Sequence, residues 1–156
     1  MTDFKVQLSW IRKSPDFDPK TYDRTHTVKL SGGFSYSASA APDYHGRADL
    51  PNPEEGLLAA LASCHMLTFL AIAANSKLKV NSYDDTCVAR LEKNDKGKMC
   101  IKNILLQPRV TFTTETTQNL EELKQLHEKA HANCIVANSI ISHVSIEPMI
   151  GIGGAF

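Results

Sequence analysis

The chain has 156 residues with 17 basic and 17 acidic side chains, so its formal net charge is zero. Apolar residues at 42% and charged residues at 22% are globular proportions, enough for one domain with a real core, residues 1–156. That composition excludes a disordered chain or a coiled coil. The missing basic surplus argues against nucleic acid or an anionic membrane as partner, and zero net charge leaves little self-repulsion against a second copy.

The first ten residues interleave Asp3, Lys5 and Gln7 with Phe4, Val6, Leu8 and Trp10. This period of two predicts a half-buried strand and lacks the continuous apolar stretch of a secretory signal, so a cytoplasmic location is expected. Pro15 and Pro19 mark a loop, and Ser31-Gly32-Gly33 predicts a hairpin turn between strands at 25–30 and 34–38. An irregular loop at 41–51 carries His45. Asn52-Pro53-Glu54-Glu55 then starts a helix expected to run to about Ser76. Asn caps free N–H groups, Pro loses no hydrogen bond at the first helical position, and acids suit the positive end of the dipole. The apolar segment 56–74 is broken by Ser63, His65 and Thr68, which predicts a buried core helix, covered on most sides, and not a membrane span.

Strands are expected at about 82–91 and 98–113, joined through Asn94-Asp95-Lys96-Gly97. A second helix at 118–133 places Leu120, Leu123, His127, Ala130 and Cys134 on one stripe, and a last strand at 142–147 precedes a Gly-rich tail. Strands with hairpin connections grouped around two helices give an α+β fold.

The four cysteines are Cys64, Cys87, Cys100 and Cys134, too few for a disulfide scaffold in a chain of this length. Cys87 and Cys100 fall on strands and are assigned to packing, or to edge positions open to slow oxidation; His26, His45 and His143 carry no signal beyond composition. Cys64 shares a helix face with Leu57, Ala60, Leu61 and Thr68, and Cys134 closes the second helix. Both helices must pack into one core, which allows the two thiols to meet. One reading is ordinary core cysteines. The other is a redox pair, in which a thiolate opens a peroxide O–O bond and a second thiol resolves the sulfenic acid as a disulfide. The redox reading needs a cation, ideally Arg, to lower the thiol pKa. A third possibility is a metal site from His127, His131 and Cys134 at i, i+4 and i+7, with His65 as a fourth ligand. A fourth is a binding module without chemistry on the same fold. A fifth, a Cys–His hydrolase, suffers because His65 points about 100° away from Cys64 on a helix. Spacing alone leaves these open.

The run Asn52-Pro53-Glu54-Glu55-Gly56-Leu57-Leu58-Ala59-Ala60-Leu61-Ala62-Ser63-Cys64-His65 resembles the N-P-E-E…A-A-x-x-S-C segment of the OsmC/Ohr family of osmotically induced and organic hydroperoxide resistance proteins. The run from Leu126 through Ala130-His131-Ala132-Asn133-Cys134 to Asn138-Ser139 resembles that family's second cysteine segment. His65-Met66 after the first cysteine is nearer to OsmC-like members. The resemblance implies an OsmC-like fold, with antiparallel strands around two core helices in an intertwined homodimer. It implies reduction of organic hydroperoxides, and less well of hydrogen peroxide, with Cys64 peroxidatic and Cys134 resolving. No cofactor is expected; electrons would come from a dihydrolipoyl group or another thiol. Glu54 corresponds to the family's glutamate, and Arg24 is the choice for its arginine over Arg12 and Arg47. Leu57, Leu61 and Met66 are candidates for an apolar substrate lining.

Overall fold

A computed structural model describes residues 2–113 and 119–151. Backbone contacts divide the chain into two compact units, Met1–Leu57 and Leu58–Phe156.

The first unit is a three-stranded antiparallel sheet of β1 (Val6–Ser9), β2 (His26–Leu30) and β3 (Ser35–Ala38), in chain order. The β2–β3 turn closes through Gly33 N–H to the Leu30 carbonyl at 3.0 Å, with Gly33 at φ 87°, where a side chain would strain the backbone. A long loop leads from β1 to β2. Its aromatic side chains fold onto one another, and Trp10 Nε1 donates to the Asp23 carbonyl at 2.6 Å.

Helix α1 (Pro53–Asn75) begins as the sequence leads one to expect. The Asn52 side chain accepts from Glu55 N–H at 2.9 Å, and Glu55 reaches back to Asn52 N–H at 3.1 Å, a capping box. The helix ends in paired bonds, Lys77 N–H to the Ala74 carbonyl and Leu78 N–H to the Ala73 carbonyl, with Lys77 in the left-handed region at φ 59°. By length and composition α1 could cross a membrane. Its buried residues are a single i, i+4 row, Leu61, His65, Phe69 and Ala73. The expectation of cover on most sides is therefore corrected: only this stripe is fully buried, its flanks are half-buried, and Leu67 stays 59% exposed.

In the second unit the two expected strand segments each split. The first becomes β4 (Val80–Asp84) and β5 (Cys87–Lys93), the second β6 (Met99–Leu106) and β7 (Arg109–Phe112). The second break falls at Gln107-Pro108, because Pro offers no N–H to a ladder. Asn94 shapes the β5–β6 turn by accepting from Lys96 and Lys98 N–H groups, both at 3.0 Å. Helix α2 (Leu120–Asn133) opens with the same device as α1, Asn119 boxed with Glu122. Residue 118, and the tail from 152, lie outside the described residues. Strands β8 (His143–Ile146) and β9 (Met149–Ile150) join β6 and β7 in parallel, so the two sheets, β5-β6-β8 and β4-β7-β9, are mixed. Two apolar clusters result. Phe69, Ala73, Val110, Leu123, Leu126 and Ala130 form one; Leu61, Ile104, Leu106 and Cys134 form the other. The protein is thus α+β.

Candidate functional site

Cys64 stands mid-way along α1 and is half-buried; Cys134 is fully buried at the C-terminal cap of α2. Their sulfur atoms lie 3.0 Å apart as free thiols, with the Cys134 S–H donating to Cys64. Spacing in sequence only allowed this meeting; the structure brings it about.

The segment after Cys134 is what aims the pair. Cys134 adopts extended backbone and ends the helix. Asn138 then ties the turn down: its backbone N–H and its side-chain amide both reach the Cys134 carbonyl at 3.0 Å, and the amide also reaches the Ala132 carbonyl at 3.0 Å. Ser139 Oγ donates to the Ile135 carbonyl at 2.8 Å. These ties fix the turn so that the Ile135 and Val136 N–H groups face Cys64 and the Ala137 N–H reaches the Cys134 sulfur at 3.4 Å. Burial pushes both thiols up. At Cys64 that push is outweighed by the Cys134 S–H, the Val136 and Ile135 N–H groups and Thr68, so its pKa falls below the ordinary thiol value. At Cys134 burial prevails, reinforced by the hydrogen bond to Cys64, and the thiol keeps its proton. The two sulfurs thus differ: Cys64 is the more acidic thiol, and Cys134 the one that holds its proton.

Cys87 is raised to about 12 by burial and by Asp85, which suits its assignment to packing. Leu61, a candidate for the substrate lining, is instead fully buried in the core, while Leu57 and Met66 are half-buried.

The proposed metal ligands do not assemble. His127 turns into the core against His65, Nδ1 to Nε2 at 2.9 Å, while Cys134 turns to Cys64. Among the described residues no group of three or more His, Cys, Asp or Glu side chains is placed to hold a metal. The histidine pair itself went unread in the sequence. Both rings are buried and nearly parallel, and Phe69 stacks on His127 at 4.3 Å. Burial, with His131 adding to it, lowers His65 to about 4; burial, with His65 adding to it, lowers His127 to about 3. The signal was available: His65 falls four residues after Leu61 and four before Phe69, on the row that is buried.

Glu54 is not the capping acid, since Glu55 performs that task. Glu54 Oε2 is buried with no hydrogen-bond partner among the described residues. Arg24 lies in the first unit. Its guanidinium donates to the Tyr22 carbonyl at 2.8 Å and the Pro19 carbonyl at 2.6 Å and stacks 4.0 Å from the Tyr22 ring centroid. It lines a cavity of about 670 Å³ formed within that unit. The other two arginines are engaged locally: Arg12 donates to the Pro15 carbonyl, and Arg47 makes a two-point pair with Asp49 at 2.9 and 2.5 Å.

Residues 46–149 match the family model described as OsmC-like protein. The fold matches that of an OsmC-like protein of unknown function from Vibrio cholerae, at TM-score 0.91 and 38% identity, covering 96% of this chain and all of that one. The organic hydroperoxide resistance protein of Elizabethkingia anophelis matches at TM-score 0.73 and 16% identity, with 98% of each chain covered, a likeness of fold alone. The Bacillus subtilis protein YmaD is 27% identical over 127 residues, 80% of this chain and 84% of that one. With two cysteine-bearing helices packed on mixed sheets, and a family match over most of its length, the chain belongs to the OsmC-like family.

Proposed function

We propose that this protein is a thiol peroxidase that reduces organic hydroperoxides, and less well hydrogen peroxide, in a reducing cytoplasmic compartment. The observation that carries the reading is the Cys64–Cys134 contact at 3.0 Å, with Cys64 lowered and Cys134 raised in pKa. The Cys64 thiolate attacks the terminal oxygen of R–O–O–H. The O–O bond breaks, the sulfur takes the OH as a sulfenic acid, and the departing alkoxide takes up a proton to become the alcohol. The Cys134 sulfur then displaces hydroxide from the sulfenic acid. A disulfide forms, water leaves with the Cys134 proton, and the two electrons given to the peroxide have come from the two thiols. A dithiol, such as a dihydrolipoyl group, restores them by exchange.

The same proposal takes Arg24 as the cation that holds thiolate and peroxide and Glu54 as its carboxylate partner. Glu54 supports this by being free of capping duty, and Arg24 by lining a cavity, whereas Arg12 and Arg47 are engaged locally. A homodimer is proposed as the working form.

The test is turnover of cumene hydroperoxide with dithiothreitol as reductant. Cys64→Ser is expected to abolish consumption. Cys134→Ser is expected to allow one round, leaving Cys64 as a sulfenic acid that dimedone traps. Full activity in Cys64→Ser would exclude the mechanism.

A further inference from the structure

The three peptide planes that follow Cys134 are all held in the same sense. In a trans peptide the C=O of one residue and the N–H of the next lie in one plane and point in opposite directions, so a group that fixes the carbonyl also aims the N–H. No described peptide bond is cis. The Cys134 carbonyl is tied twice by Asn138, through its backbone N–H and its side-chain amide, both at 3.0 Å. The Ile135 carbonyl accepts the Ser139 hydroxyl at 2.8 Å, and the Val136 carbonyl accepts the Ser139 N–H at 3.0 Å. Three successive carbonyls are thus turned to Asn138 and Ser139. The N–H groups on the far side of the same planes belong to Ile135, Val136 and Ala137. The first two face the Cys64 sulfur, and the third reaches the Cys134 sulfur at 3.4 Å.

Helix capping alone does not account for this arrangement. A cap needs partners only for the last carbonyls of α2, and the Asn138 amide does reach one of those, Ala132, at 3.0 Å. The Ile135 and Val136 carbonyls lie beyond the helix, and their ties serve the turn itself. Val136 and Ala137 pack on the second apolar cluster and seat the turn there; the carbonyl ties set the rotation of its planes. Asn138 and Ser139 are exposed, so neither is there to fill the core. Consecutive backbone N–H groups that converge on one atom favour negative charge at it.

We propose that the Ile135 and Val136 N–H groups form an anion hole for the Cys64 thiolate, with Asn138 and Ser139 as positioning residues that act through the carbonyls they hold. The segment that delivers the second thiol thereby also holds the charge of the first. The proposal rests on the reading of Cys64 as the reacting thiol and adds to it the groups that carry its charge.

The test is the rate of Cys64 alkylation by iodoacetamide against pH, mapped by mass spectrometry. It needs no peroxide, so its failure and the failure of the peroxidase reading are distinct results. In Asn138→Ala and in Ser139→Ala the rate at pH 7 is expected to fall about threefold to tenfold, with the midpoint of the profile moving upward. Ser139→Thr keeps the hydroxyl and is expected to keep the wild-type midpoint. Asn133→Ala is the control for a merely structural role. Its amide makes a like tie to the Lys129 carbonyl at 2.8 Å, on a plane within α2, and its midpoint is expected to stay at the wild-type value. The shift in Asn138→Ala is expected again in a Cys134→Ala background, where the turn donors act without the second thiol. If Asn138→Ala does not fold, Ser139→Ala against Ser139→Thr decides. A wild-type midpoint in Ser139→Ala and in folded Asn138→Ala, an equal shift in Asn133→Ala, or a shift that vanishes in the Cys134→Ala background would overturn the proposal.

Discussion

Cys64 and Cys134 start with the same thiol chemistry and are separated by the direction in which neighbouring protons point. Cys64 collects donors from Cys134, Val136, Ile135 and Thr68, against the push of burial. Removing the first of these donors moves the balance. In Cys134→Ala the pH profile of Cys64 alkylation by iodoacetamide is expected to shift upward relative to wild type; an unshifted profile would show that the backbone donors suffice. The buried histidine pair gives a second prediction. Its rings are held neutral, with pKa values lowered to about 4 and about 3. The unfolded chain binds protons at these histidines below about pH 6.5, where the folded chain does not. The pair's contribution is therefore full above that pH and lost as pH falls toward about 4. Urea unfolding is expected to lose on the order of 2 kcal/mol across this window, and His127→Asn, which does not titrate, is expected to lose less. Equal slopes in the two proteins would contradict the assignment.

At the scale of elements, both helices start with an Asn-x-x-Glu box, and both boxes are made. Asn52→Ala and Asn119→Ala are each expected to cost about 1 kcal/mol in urea unfolding. Glu54→Gln, one residue from Glu55, is expected to leave stability unchanged. The starts were legible because capping is local chemistry written in adjacent residues. The hairpins around Gly33 and Gly97 were legible for the same reason. What was not legible depends on distant partners. Nothing in residues 142–150 announces that β8 and β9 join their neighbours in parallel. The face of α1 was read through Cys64, yet the covered row is Leu61, His65, Phe69 and Ala73, about 100° away, because the sheets and α2 select it. Asn138 and Ser139 stood in the second cysteine segment without a stated task; their ties to the Cys134 and Ile135 carbonyls supply one. The cavity that Arg24 lines was hidden because Trp10, Phe17 and Tyr22 of one loop come beside His45 of another only on folding.

At the scale of the whole molecule, each unit leaves large apolar side chains in water. Phe4 is 91% exposed in the first, and Ile135, next to Cys134, is 77% exposed in the second. The homodimer proposed above would cover such side chains, and zero net charge does not oppose a second copy. A mass of twice 17.2 kDa is expected by light scattering at micromolar concentration, and a monomer there would remove the proposed homodimer. The central claim is that this molecule carries one reactive thiol pair among four cysteines. Its most direct test is a thiol count, with mass-spectrometric mapping, after one equivalent of cumene hydroperoxide is added to the reduced protein. Loss of two thiols, with a Cys64–Cys134 link and Cys87 and Cys100 still reduced, is the predicted result. Retention of all four thiols, or a link through Cys87 or Cys100, would contradict it.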